Sequence, residues 1–88
     1  MYFFVLANPC KDTSNDAYGK LFKKTSRENF IEGKSTVTDT GVEVIFTCNT
    51  GSMKDVDFNV LCYANKKGKL SASVLGTQSE KKSFKKCK

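Results

Sequence analysis

The sequence predicts an α+β domain: one short N-terminal helix packed on an antiparallel sheet of about five strands, stapled by disulfides. Three observations predict it. Apolar residues recur at helical spacing only near the N-terminus. Beyond that point they alternate with period two. Four cysteines in 88 residues are dense for a chain too short to bury a large core. At this length a single domain, residues 1–88, accounts for the whole sequence.

The opening "MYFFVLANPC" holds a short apolar run, Tyr2–Leu6, with no basic region before it. It is too incomplete for a secretory leader. It reads as the start of a mature secreted chain with an added methionine, or as a first strand, and the two are compatible. Next, Thr13–Asp16 spells T-x-x-D, the pattern of a helix N-terminal capping box. Ala17/Leu21 and Tyr18/Phe22 then form i,i+4 apolar pairs. Together these predict a helix from Ser14 to about Lys24. Gly19 weakens it, and Lys23-Lys24 suits its C-terminal end.

The strands follow. "GKSTVT" is a short one. "GVEVIFTC" puts Val42, Val44, Phe46 and Cys48 on one face and Glu43, Ile45 and Thr47 on the other. "VDFNVLCYA" puts Val56, Phe58, Val60 and Cys62 against Asp57, Asn59, Leu61 and Tyr63. "NKKGK" is a turn around Gly68, and "LSASVL" alternates again. A last short strand is expected through Ser83–Cys87. The helix covers one sheet face. The other stays partly open, which is where a ligand could sit.

With no histidine and no two cysteines closer than Cys48 and Cys62, a zinc site is disfavoured. No metal or cofactor is expected. Four cysteines allow three full pairings. If the two central strands form a simple hairpin, Cys48 and Cys62 lie at opposite ends of it, roughly 20 Å apart at strand rise. A disulfide needs Cα atoms within about 7 Å. The two are then buried thiols on the core face, or each is bonded elsewhere.

No apolar segment is long enough to span a membrane, and the chain is expected to be a monomer. The net charge of +6 is unevenly spread. Residues 1–65 carry seven basic and eight acidic groups, whereas residues 66–88 carry eight lysines and one glutamate. That imbalance fits a phosphate-rich partner, or equally a solvated lysine edge that blocks strand aggregation.

Asn65, Leu70, Phe84 and Cys87 make an N-x4-L-x13-F-x2-C frame. It resembles the C-terminal end of the small fungal guanyl-specific ribonucleases and of the ribonuclease-like secreted effectors of cereal powdery mildews. "IEGK" at Ile31–Lys34 and "GVEVIF" at Gly41–Phe46 are similar to that family's Y-E-G segment and to the strand carrying its catalytic glutamate. The resemblance implies a ribonuclease-like fold and a bridge between Cys10 and Cys87. It places the glutamate at Glu43 and the phenylalanine beside the scissile phosphate at Phe84. The two histidines fall near Ser26 and Gly76, the tyrosine near Lys24 and the arginine near Leu61. Cleavage of RNA through a cyclic phosphate needs a base, an acid and a cationic stabiliser, and serine and glycine cannot replace imidazole. The expectation is therefore a chain that is no enzyme, with Glu43 a vestige.

What such a fold keeps is binding. Tyr63 and Phe84 are expected to stack bases, and Lys23, Lys24, Arg27, Lys66, Lys67, Lys69, Lys82 and Lys85 to meet phosphates. The resemblance implies a secreted fungal virulence factor delivered into plant cells. Its implied partners are host RNA or the ribosome, or a host protein such as an immune receptor. A second resemblance, to complement-control (sushi) modules, rests on Cys48 and Cys62 in their strand contexts. It implies an all-β extracellular binding module with Cys10–Cys62 and Cys48–Cys87, although the tryptophan expected before the last cysteine is absent.

Overall fold

A computed structural model describes residues 8–11 and 14–88. The run Tyr2–Leu6 and the capping residue Thr13 lie outside the described residues. Helix α1 spans Ala17–Leu21, strands β1 to β4 span Phe30–Thr38, Gly41–Cys48, Asp57–Ala64 and Leu70–Val74, and helix α2 spans Gln78–Phe84. Single 3-10 turns lie at Pro9–Lys11, Arg27–Asn29 and Gly51–Met53. The strands form one antiparallel sheet in the order β1-β2-β3-β4. The α+β class and the disulfide staples are therefore present, with four strands among the described residues. None of the helices there is long and apolar enough to cross a membrane.

Hydrophobic alternation sets the sheet register. Val42 pairs with Cys62, Val44 with Val60 and Phe46 with Phe58. Val44, Phe46, Cys48, Val60 and Cys62 are all buried. Five phenylalanines fill the space between sheet and helices: Phe22, Phe30, Phe46, Phe58 and Phe84. Their rings meet mostly edge to face, while Phe30 and Phe84 stack with centroids 4.7 Å apart. Buried aromatic pairs of this kind contribute stabilisation beyond their buried area.

Three expectations about elements change. The N-terminal helix is a five-residue stub rather than Ser14–Lys24. Asp16 stands at its N-cap but makes no side-chain cap bond. After Leu21 the chain turns, with Thr25 N–H bonded to the Phe22 carbonyl, so that Phe22 enters the core. Strand β1 is longer than "GKSTVT" and carries an irregularity between Glu32 and Ser35.

The last strand is instead α2. Thr77 caps it with a full capping box: the Thr77 side chain accepts from the Glu80 backbone, and the Glu80 carboxylate accepts from Thr77 N–H at 3.0 Å. The helix turns Phe84 into the core, where it is 2% exposed. Thr77→Ala removes the reciprocal cap. It is expected to cost about 1 kcal/mol in chemical denaturation, with α2 the first element to fray.

The disulfides are Cys10–Cys62 and Cys48–Cys87. The expected Cys10–Cys87 bridge is corrected, for a reason visible in the sheet. Cys48 N–H bonds the Val56 carbonyl while Cys62 pairs with Val42, so the two sulfurs sit at opposite ends of the β2–β3 ladder on its core face. Each end staples a different chain terminus. Cys10 joins Cys62 beside Ala17, and Cys87 joins Cys48 within the phenylalanine core. This is the pairing expected of a complement-control module, but the two helices backing a single sheet are not the all-β fold of that family.

Candidate nucleic-acid interface

The two sheet faces differ in kind. Both helices and both disulfides lie on the face of Val44, Phe46 and Val60. On the opposite face Thr36, Glu43, Leu61 and Ser73 form one cross-strand row spanning all four strands. Ile31, Ile45, Thr47, Asp57, Asn59 and Tyr63 flank it by the strand alternation. Glu43 is thus on the open face, as its alternation predicts. Its neighbour in register is Leu61, where the ribonuclease resemblance expects arginine. The row offers one ionisable group. Gly76, at a position matched to a histidine, has φ +123°, and a Cβ there would lie 2.6 Å from the Glu80 carboxylate. A histidine at this place would be both strained and crowded.

The expected base-stacking pair is separated. Tyr63 stays on the open face, half-buried. Phe84 lies in the core on the other side, so it is corrected from a stacking residue to a packing residue. Arg27 is also engaged structurally. Its guanidinium lies 4.9 Å from the centroid of the Phe46 ring, donates to the Phe30 carbonyl at 3.1 Å and pairs with Glu32 at 3.1 Å. Lys11 meets the same carboxylate at 3.3 Å. Arg27 thereby caps the aromatic core rather than offering a free charge. Beside this cluster Asn8 Nδ2 donates to the Tyr18 hydroxyl, while burial pushes the Tyr18 phenol above its ordinary range.

The lysines, by contrast, converge. A groove of about 430 Å³ runs between the end of α1, the edge of β4 and α2. Lys20, Lys23, Lys24, Lys81 and Lys85 line it, with no carboxylate among its lining residues. Leu21, Val74 and Phe84 form part of its floor. Lys81 and Lys85 are four residues apart and so share the groove side of α2. The one acidic residue of the C-terminal stretch, Glu80, is held in the capping box.

Of the residues expected from sequence, Lys23, Lys24 and Lys85 meet here. Lys69 lines a neighbouring groove with Tyr63. Lys66, Lys67 and Lys82 are exposed but line neither groove. Lys20 and Lys81 were not among the expected residues, although the spacing of Lys20 from Lys23 and Lys24, and of Lys81 from Lys85, was a legible signal.

No three His, Cys, Asp or Glu side chains converge as a metal-ligand set among the described residues. Comparison with protein-family models, with curated proteins and with solved structures gives no match.

Proposed function

We propose that this chain is a secreted, non-enzymatic binding domain that holds RNA through the lysine groove. The carrying observation is the convergence of five lysines from two distant segments on one groove without a neutralising carboxylate. Ammonium groups so placed contact phosphates and release counterions.

A ribonuclease-like arrangement is part of the proposal. It is supported by a helix-backed antiparallel sheet and by Glu43 standing beside Leu61 on the open face. It takes no support from the cysteines, whose pairing differs from the one the resemblance implies. On that resemblance the domain is a fungal effector delivered into host plant cells, with host RNA or the ribosome as its partner and an immune receptor as a second one.

Two assays test the proposal. Filter binding at low salt is expected to retain structured RNA through its unpaired segments, and no retention of either structured or single-stranded RNA would sink the electrostatic reading. A nuclease-free preparation is expected to leave RNA intact. Cleavage that disappears in Glu43→Gln would instead make the chain an enzyme.

A further inference from the structure

The lysine groove does not end at β4. It shares Lys20 and Ala72 with a second groove of about 710 Å³, lined also by Tyr63, Lys69 and Ser71. Shared walls make the two one track that follows the edge strand β4 from the 65–69 turn to α2, lined by Ala72 from the helix face of the sheet and by Ser71, Ser73 and Tyr63 from the open face. The five residues of β4 alone cover about 17 Å at strand rise, a length for a chain of several linked anionic units rather than for one phosphate.

The two ends of the track differ chemically. The α1–α2 end is cationic. The end near the turn has one carboxylate in its lining, Asp16, and one aromatic ring, Tyr63. The two carboxamides that could read a base edge there are already committed: Asn15 Nδ2 donates to the Pro9 carbonyl at 3.1 Å and its Oδ1 accepts from Ala17 N–H at 2.9 Å. Asn65 Oδ1 accepts from Lys67 N–H at 2.9 Å and Lys69 N–H at 3.1 Å, and its amide donates to Ser71 Oγ at 3.4 Å. What Tyr63 can offer is a ring face, which takes any base provided that the base is unpaired. Lysines grip phosphates as point charges and do not distinguish ribose from deoxyribose.

We infer that this track takes an extended single strand of nucleic acid, RNA or DNA alike, with phosphates along Lys20, Lys23, Lys24, Lys81 and Lys85 and one base on Tyr63. The inference rests on the reading of the lysine groove as a nucleic-acid site and adds to it strandedness, length and indifference to the sugar.

Fluorescence anisotropy at low salt tests it with labelled oligo-U and oligo-dT of about twelve nucleotides, their three-nucleotide versions, a duplex of the same length and inorganic polyphosphate. The two long single strands are expected to bind within about threefold of each other, and the duplex and the short strands at least about tenfold more weakly. Tyr63→Ala is expected to weaken both long strands by about tenfold, to leave polyphosphate unchanged, and to be matched by a Tyr63→Phe variant that binds like the wild type.

A duplex or a three-nucleotide strand bound as tightly as the long strands would overturn the inference. So would a strong preference for RNA over DNA, or a Tyr63→Ala variant that binds both long strands normally. In those cases the lysine groove would stand as a nucleic-acid site. If the wild type binds neither oligonucleotides nor polyphosphate, the reading of the groove itself fails and the inference with it.

Discussion

Replacing Cys48 and Cys87 together by alanine is expected to lower the melting temperature by on the order of 20 °C. The bridge joins residues 39 apart in sequence. Closing a loop of that length removes unfolded-state entropy equivalent to roughly 4 kcal/mol in the chain-entropy model. At typical values per residue a chain of this size has only about 4–13 kcal/mol in total. The bridge also holds a specific part of the fold. The Cys87 carbonyl accepts from the Thr25 hydroxyl and, at 3.1 Å, from Asn29 Nδ2. These contacts, the bridge and the buried Phe84 ring together seat α2. Loss of the bridge should therefore release Lys81 and Lys85 and weaken polyanion binding along with stability. Cys10→Ala with Cys62→Ala makes the comparison. Its loop is longer, with a separation of 52, but it anchors the Pro9–Lys11 turn rather than α2. It should lower stability comparably and spare more of the binding. A shift below about 5 °C in the Cys48/Cys87 variant would show that packing alone seats α2.

The second large effect is electrostatic. Lys23→Glu with Lys85→Glu is expected to lower affinity for RNA at least about 100-fold at low salt, since it turns two phosphate contacts into two repulsions on opposite walls of the groove. Both side chains are exposed, so circular dichroism and melting should hardly change. A similar reversal at Lys66 and Lys67, exposed in the 65–69 turn at the far end of the track and lining neither groove themselves, should cost less. Equal losses from the two pairs would mean that net charge, not the groove, governs binding.

The central hairpin was legible because alternation and the connecting turn fix its register, down to Cys48 near Val56 and Cys62 near Val42. Strand β1 was only half legible. Glu32 pairs with Phe46 on the core side, and a charged residue there breaks the apolar alternation. It is tolerated because Arg27 and Lys11 neutralise it, a fact of tertiary structure. Helix α2 was written in the sequence, but the expected strand takes in only its last two residues, Ser83 and Phe84. Thr77–Glu80 is a full T-x-x-E capping box, followed by residues compatible with a helix, but Phe84 and Cys87 drew attention to a strand-like ending. The disulfide pairing followed from sheet geometry once each terminus was placed, which no spacing of cysteines could supply. The lysine groove was the least legible feature. Its two halves lie some sixty residues apart in sequence and meet where Phe22 and Phe84 pack together, with ring centroids 5.7 Å apart.

The salt dependence of RNA binding tests the central claim most directly. If five lysines of the groove contact phosphates, the logarithm of the association constant should fall with the logarithm of salt with a slope of about −3.5, or roughly 100-fold between 50 and 200 mM. The Lys23→Glu/Lys85→Glu variant should show a clearly shallower slope. RNA binding that is flat in salt, or a slope left unchanged by that variant, would contradict the account.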